Sequence, residues 1–313
     1  MAHRPLVSIL TPAYKAEPYI GQAIESVLAQ TMPDWELIIV EDCSPDNTAQ
    51  AVEQYLGDPR IKLIRNEQNL GECGSRNRAL DVAQGEWITL LDADDWYEPQ
   101  RLERLWQTAN ETGEKVVFDL MRRVPPYKNE PAVTLSPIYP IPAKATRYTI
   151  YQYVYGHLAG QPMFRRDLVQ QDNLRYIPGV LKGGDYIFQI QLIDRAGGHL
   201  LVLPEALYNY RVHAQSMVGL LRTDLSKVHT LYQTLLELPE VQRDSRLRRM
   251  VLIDYRRELG RNKLTEFNEA LRRANWRELW RLIRETPSVL EAFVWRRREK
   301  LLRRLYPRLR ALE

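Results

Sequence analysis

The sequence predicts an α/β fold, with a mainly parallel sheet flanked by helices and a C-terminal helical extension. Three observations carry this. Short apolar runs alternate with segments of helical periodicity over residues 1–120, and the connections between them are short. Such alternation needs crossover connections and leaves a sheet covered on both faces. Acidic segments stand at or just after the ends of three apolar runs, where open sheets of this kind bind ligands. From Arg222 onward the apolar spacing is helical to the end of the chain.

In order, Val7–Thr11 is the first strand, stopped by Pro12. The helix Tyr19–Gln30 carries Ile20, Ala23, Ile24, Val27 and Leu28 at helical spacing. Glu36–Val40 is the second strand. Ser44-Pro45 opens a helix, with Ser44 as N-cap and Pro45 at the first helical position. Ile61–Ile64 is the third strand, and Ser75–Ala83 is helical until Gly85 breaks it. Trp87–Leu91 is the fourth strand and ends at Asp92-Ala93-Asp94-Asp95. Pro99 starts a helix to about Asn110, and Lys115–Asp119 is a fifth strand. Residues 125–142 contain six prolines, which predicts an irregular surface connection. Short mixed elements follow to about Met217.

Composition limits the function. Hydrophobic residues make up 44 % and charged residues 27 % of 313, the balance of a globular protein rather than a disordered one. No apolar run reaches the about 18 residues that a membrane-spanning helix needs. Two cysteines, Cys43 and Cys73, exclude a disulfide framework and a four-cysteine zinc site. The N-terminus leads straight into a strand-like run, so no secretory signal is expected and the reducing cytoplasm is the expected compartment. Charge is divided unevenly. Residues 241–313 hold 21 Lys and Arg against 10 Asp and Glu, whereas the first 240 are net acidic. A folded body with a basic extension directed at something anionic is implied.

The chemistry centres on Asp92-Ala93-Asp94-Asp95. Carboxylates crowded at a strand end repel one another, and Asp-x-Asp suits a divalent cation shared with phosphate oxygens. A solvated turn leading to Trp96 is the plainer alternative. Asp42 ends the second strand and is suited to a nucleobase N–H or ribose hydroxyls, or to an ordinary turn. Gly183-Gly184-Asp185 permits close backbone approach to a ligand, and Asp185 also reads as a helix N-cap. Arg76 is placed to reach an anion, or to lie on the surface of a first helical turn. His213, after Tyr210-Arg211-Val212, is a loop histidine able to bind a metal or phosphate. No phosphate-binding Gly-x-x-x-x-Gly-Lys motif, dinucleotide Gly-x-Gly-x-x-Gly after the first strand, or Gly-x-Ser-x-Gly is present.

Together these segments resemble the family 2 glycosyltransferases. The resemblance rests on Val7–Tyr14, Ser26–Thr31, Glu41-Asp42-Cys43-Ser44-Pro45-Asp46-Asn47-Thr48, Asn69-x-Gly71, Ala83–Glu86 and Leu91–Asp95. It continues more weakly through Met163–Arg166, Gly184-Asp185 and Tyr210-Arg211-x-His213 with Ser216. Glu41, Cys43, Ala13 and Lys15 depart from the family pattern, whereas Asp42, Asp94 and Asp185 keep it.

The resemblance implies a Rossmann-like GT-A fold. Residues 1–120 would form the nucleotide-sugar half, 121–220 the acceptor and catalytic-base half of the same domain, and 221–313 a basic helical region. It implies inverting transfer from a nucleoside diphosphate sugar, UDP-linked by preference, to a glycan, lipid-linked or polymer acceptor. Asp185 would be the base. Pro12, Ala13, Tyr14, Asp42, Arg76, Asp92, Ala93, Asp94 and Gly184 would bind the donor, and Asp94, Asp95 and His213 would hold Mg²⁺ or Mn²⁺. Competing expectations are a non-catalytic binding subunit on the same scaffold, or a nucleotidyltransferase. The latter wants a glycine-rich loop where this chain has Pro12–Ala16.

Cys43 and Cys73 follow the second and third strands, so both are expected near the donor pocket. In the basic region Trp276, Leu279, Trp280 and Ile283 share one helical face among arginines, and Trp295 and Leu301–Leu305 continue the pattern. Such a face suits an anionic membrane surface, which would make the protein peripheral on the inner face of the plasma membrane. It also suits packing on the catalytic domain or on a second copy in a homo-oligomer. No nucleic-acid-reading motif accompanies the charge, so nucleic acid is not an expected partner.

Overall fold

A computed structural model describes residues 4–125, 133–135, 143–156, 158, 160–180, 183–213 and 225–294. The chain forms two compact units, one of residues 1–180 and 184–213 and one of residues 181–183 and 214–313.

The first unit opens with β1 (Val7–Ala13), α1 (Ile20–Leu28), β2 (Trp35–Glu41), α2 (Thr48–Glu53), β3 (Ile61–Arg65), α3 (Gly71–Val82) and β4 (Trp87–Leu90). The four strands are parallel in the order β3-β2-β1-β4. All seven residues of β2 are buried, as an unbroken apolar run in a covered parallel sheet requires. The two exceptions are acidic: Glu36 takes hydrogen bonds from Ser8 Oγ, from Lys62 Nζ at 2.7 Å and from Gln84 N–H at 2.7 Å, and Glu41 accepts from the Ser44 N–H.

Next come β5 (Trp96–Tyr97), α4 (Arg101–Thr112), β6 (Val116–Val124), β7 (Val133–Leu135), β8 (Thr146–Thr149), α5 (Ile150–Gly156), β9 (Met163–Arg165), α6 (Asp167–Gln170), α7 (Gly184–Arg195) and β10 (His199–Arg211). The sheet continues from β4 as β9-β6-β10-β5, with β7 on β6 and β8 on β10. The expected fifth strand, β6, is not beside β4. The short β9 lies between them, antiparallel to both, while β6 and β10 run parallel. The β6–β10 register shifts around Pro204, which has no N–H to give to a ladder.

β6 runs five residues past the expected end at Asp119, and three boundaries nearer the acidic segments also differ from the sequence reading. β1 runs through Pro12 to Ala13, beyond its last β4 partner pair Leu10–Leu90, where only the β2 side is still paired. α2 starts at Thr48 rather than at Ser44-Pro45, because Asp46 takes the Thr48 N–H at 3.2 Å while Ser44 Oγ accepts from the Lys15 N–H at 2.9 Å. α3 starts at Gly71, four residues before Ser75, because the Asp42 carboxylate accepts the N–H groups of Leu70 and Gly71 at 2.8 and 2.9 Å.

The second unit contains α8 (Leu225–Glu237), α9 (Pro239–Arg243), α10 (Ser245–Arg272) and α11 (Trp276–Glu285). Asp244 caps α10 by accepting from Arg246 and Leu247 N–H. Leu279 and Leu282 of α11 pack with Phe267 and Ala270 of α10 and with Val289. A Cβ at Gly260 would lie 2.3 Å from the Ser288 carbonyl oxygen, so only glycine admits this close packing. Among the described residues no helix is long and apolar enough to cross a membrane. Pro126, Pro131, Pro137, Pro140, Pro142, Ser216 and the basic segment from Trp295 onward lie outside the described residues.

Candidate active site

The carboxyl ends of the parallel strands gather the acidic segments. β1 ends at Pro12-Ala13, β2 leads into Asp42 and β4 into Asp92–Asp95. Tyr14 follows β1 and is about half exposed. The Lys15 N–H to Ser44 bond ties the loop after β1 to the loop after β2, and the Asp42 N–H donates to the Ala13 carbonyl at 2.9 Å. Asp42 itself is buried, and Asn66 Nδ2 also donates to it, at 2.6 Å. Its carboxylate therefore anchors the 66–71 loop and the start of α3.

Arg76 organises the centre of the site. It is 1 % exposed and ion-pairs with Asp185, with Asp92 at 2.7 Å and with Glu72 at 2.5 Å. Its guanidinium also lies 5.4 Å from the Tyr176 ring centre. Glu72 and Arg76 are one helical turn apart on α3, so i,i+4 spacing brings them together. Asp185 comes from the first turn of α7 and turns toward Arg76 and Gln161.

Burial raises the pKa of Asp185 despite the opposing charge of Arg76. Arg76 draws Glu72 down, but burial and the charges of Asp185, Asp92 and Asp94 outweigh it and push Glu72 up to about 7. The carboxylates in turn hold Arg76 firmly charged against the cost of its burial.

Gln161 bridges the two acids, donating to Asp92 at 3.3 Å and to Asp185 at 3.4 Å. Its own backbone carbonyl accepts from Arg101 at 2.6 Å, and Arg101 is paired with the buried Asp119 at 2.8 Å. A buried ion pair between α4 and β6 thus sets a polar side chain between Asp92 and Asp185.

Asp94 and Asp95 diverge. The Asp94 carboxyl is a third exposed and lies 2.8 Å from His213 Nε2. Burial and the Asp92 charge raise its pKa, and His213 opposes the shift. His213 stands two residues beyond the end of β10, its ring 4.9 Å from that of Tyr19, and Arg211 Nε donates to the Asp94 carbonyl at 2.7 Å.

Asp95, grouped with the metal ligands in the sequence, is turned inward and fully buried. It accepts from Tyr208 OH and Arg211 N–H, both at 2.8 Å. Burial and the charges of Asp92 and Asp94 push it up to about 9. Ala93 is buried between the two acids.

Gly184 has a steric reason for being glycine, since a Cβ there would lie 2.6 Å from Cys73 Sγ. Cys73 is buried, and burial pushes its thiol up to about 11, whereas Cys43 is exposed. Glu72, Gln161 and Tyr208 were not singled out from the sequence. Only Glu72 had a readable signal, its i,i+4 spacing from Arg76.

Known proteins resemble the chain in sequence and in fold. The profile of Glycosyl transferase family 2 matches residues 8–172. A succinoglycan biosynthesis protein, ExoO of Rhizobium meliloti (strain 1021), is 31 % identical over 226 residues, 70 % of this chain and 64 % of that protein. The chain thus spans less than two thirds of that relative's own length. The structure of S. aureus TarS 1–349 in complex with UDP-GlcNAc has a TM-score of 0.65 at 21 % identity, covering 81 % of this chain and 79 % of that one. The mannosyltransferase PcManGT from Pyrobaculum calidifontis, in complex with GDP-Man and Mn²⁺, has a TM-score of 0.59 at 15 % identity, covering 93 % and 84 %. These two structures share the fold. With the profile covering more than half of its length, the chain belongs to glycosyltransferase family 2.

Proposed function

We propose that this chain transfers a sugar, with inversion, from a nucleoside diphosphate sugar to a hydroxyl of a glycan or lipid-linked acceptor. UDP-linked donors are favoured, and Asp185 is the general base. The observation that carries this reading is the junction at Arg76. One buried guanidinium holds Asp185, from α7, beside Asp92, at the end of β4. The acid best placed as base therefore stands next to the strand end where a donor diphosphate is expected. The UDP-GlcNAc of the TarS complex and the GDP-Man of the PcManGT complex support a nucleotide-sugar donor. The name of the ExoO protein supports an acceptor in polysaccharide assembly.

In the proposed step, an acceptor hydroxyl oxygen attacks the anomeric carbon from the face opposite the diphosphate. The bond to the diphosphate oxygen breaks, and the hydroxyl proton passes to Asp185. Arg76 favours the ionised form of Asp185 against its burial and fixes its direction. Gln161 holds the second carboxylate oxygen. Pro12–Tyr14, next to Asp42, form the surface for the nucleoside.

Asp94 and His213 are the residues that would hold Mg²⁺ or Mn²⁺. An oxygen and a nitrogen donor 2.8 Å apart, in a cluster whose negative charges raise one another's pKa, suit such a cation. No three His, Cys, Asp or Glu side chains converge as a complete site among the described residues, so phosphate oxygens and water would complete the set. When bound, the cation would neutralise charge gathering on the departing diphosphate. Asp95 supports Tyr208 and Arg211 behind it.

The test is nucleoside diphosphate release from a panel of UDP- and GDP-sugars with and without Mn²⁺. Metal-dependent release from at least one donor, lost in Asp185→Asn while donor binding persists, is expected. Failure of every donor to bind would overturn the reading.

A further inference from the structure

The helix α11 divides the apolar stripe that the sequence presents as a single face. Leu279 and Leu282 are buried against α10 and Val289, so the local core is complete without the two tryptophans. Trp276 and Trp280 are 65 % and 71 % exposed, the most open large apolar side chains described. At about 100° per residue, Trp276, Trp280, Arg284, Arg277 and Arg281 occupy adjoining directions on the helix. They line one shallow hollow with the edge of Ile283. Paired exposed indoles are an apolar patch that a monomer in water has no reason to keep. Indole rings favour the boundary between hydrocarbon and water, and arginine stems lie along apolar surface with the charge held outward.

From this surface we infer a docking site for an anionic lipid bilayer, with Trp276 and Trp280 entering the headgroup region and Arg277 and Arg284 meeting lipid phosphates, while Arg281 is ion-paired with Glu278. Charge selects this occupant. A second copy packed symmetrically would set these arginines against their own counterparts, which is repulsive. Lipid phosphate is complementary to them, and the 241–313 region carries an excess of basic residues in the same sense. The inference stands on α11 alone and does not depend on the reaction proposed above.

The test is flotation of the full chain with vesicles of phosphatidylcholine alone or mixed with phosphatidylglycerol. Recovery is expected with the mixed vesicles, little with phosphatidylcholine alone, and less as salt is raised. The double variant Trp276→Ser/Trp280→Ser should weaken partition by at least about tenfold. Arg277→Glu/Arg284→Glu should do so by a similar factor, while Arg277→Lys/Arg284→Lys keeps most of it. These side chains are exposed, so thermal melts should be unchanged.

Absence of recovery with mixed vesicles, equal recovery on neutral ones, or undiminished flotation of the tryptophan variant would overturn the inference. So would tryptophan-dependent dimerisation, or binding of a single-stranded oligonucleotide, by a protein that does not float.

Discussion

Arg76 and Asp185 are 109 residues apart in the chain and form a hydrogen-bonded ion pair, with the guanidinium buried. Burying a cation is costly unless its charge is answered, and here three carboxylates meet the two terminal nitrogens of the guanidinium. Opening the pair would take one of three carboxylates from a buried cation, so the start of α7 is held against α3. The same contact sets the orientation and the acidity of the proposed base.

Substituting Asp185→Asn should lower sugar transfer by about 10²–10⁴-fold, the usual worth of a general base, with donor affinity little changed. Turnover against a working acceptor, beside calorimetric binding of the nucleotide, checks this. Near-normal turnover would move the base elsewhere.

The pH profile gives an independent check on Arg76. Burial raises Asp185, and Arg76 pulls it back. A base acts in its ionised form, so the acid limb of the rate profile should lie above the ordinary aspartate range. Arg76→Gln removes the restraining charge, so the limb should move to higher pH, and Arg76→Lys should move it less. A limb that stays in place or moves down would mean that Asp185 is not the group titrating.

Asp94 and Asp95 should separate experimentally. Asp94→Asn and His213→Ala remove groups that face each other at the opening, and should abolish Mn²⁺-dependent binding of UDP while leaving the melting temperature near that of the parent. Asp95→Ala strands the Arg211 N–H and leaves the Tyr208 hydroxyl only its longer bond to the Asp92 carboxylate, and should cost about 1–3 kcal/mol of stability. If Asp94→Asn binds UDP with Mn²⁺ as the parent does, the proposed ligand assignment fails.

Gly184 and Cys73 should behave as a coupled pair. Gly184→Ala places a methyl against the Cys73 sulfur beside Asp185, and should lower transfer more than it lowers donor binding. Cys73→Ala removes the sulfur and should restore much of the loss in the double variant. Additive effects in that cycle would argue against direct contact.

Glu36 predicts a stability change in acid. Burial alone would raise its pKa, but Lys62, Ser8 and the Gln84 N–H outweigh burial and hold it below the ordinary glutamate range. A depressed carboxylate contributes stability above its unfolded pKa, and that stability is lost as pH falls through the folded value. Urea melts should therefore show Glu36→Gln losing less stability than the parent between neutral pH and the region below 4.5. Gly85→Ala, whose methyl would meet the Ser8 backbone nitrogen at 2.4 Å, should cost about 1–3 kcal/mol at any pH. Parallel pH dependence in parent and Glu36→Gln would refute the linkage.

Much of the first unit was legible because its determinants are local. Buried parallel strands favour apolar runs; Leu37–Val40 is unbroken, and Val7–Leu10 and Trp87–Leu90 are each interrupted by a single hydroxyl residue, Ser8 and Thr89. Helical spacing located α1 and α4 to within a few residues, and the acidic segments marked the strand ends. What the sequence by itself determined is therefore the alternation of elements and the chemical character of the strand ends.

Which way each carboxylate points was decided only by the tertiary structure. Asp94 and Asp95 are adjacent and chemically alike. One meets His213 from just beyond the end of β10, and the other is drawn inward by Tyr208 and Arg211 from that strand. Asp42 is taken up by the N–H groups of a loop nearly thirty residues on. The apolar stripe of α11 also resolves only in three dimensions, because α10 buries its leucines and leaves its tryptophans outside. Periodicity reports that a residue has a face. Hydrogen-bond partners and covering surfaces come from distant parts of the chain, and only the packed fold assigns them.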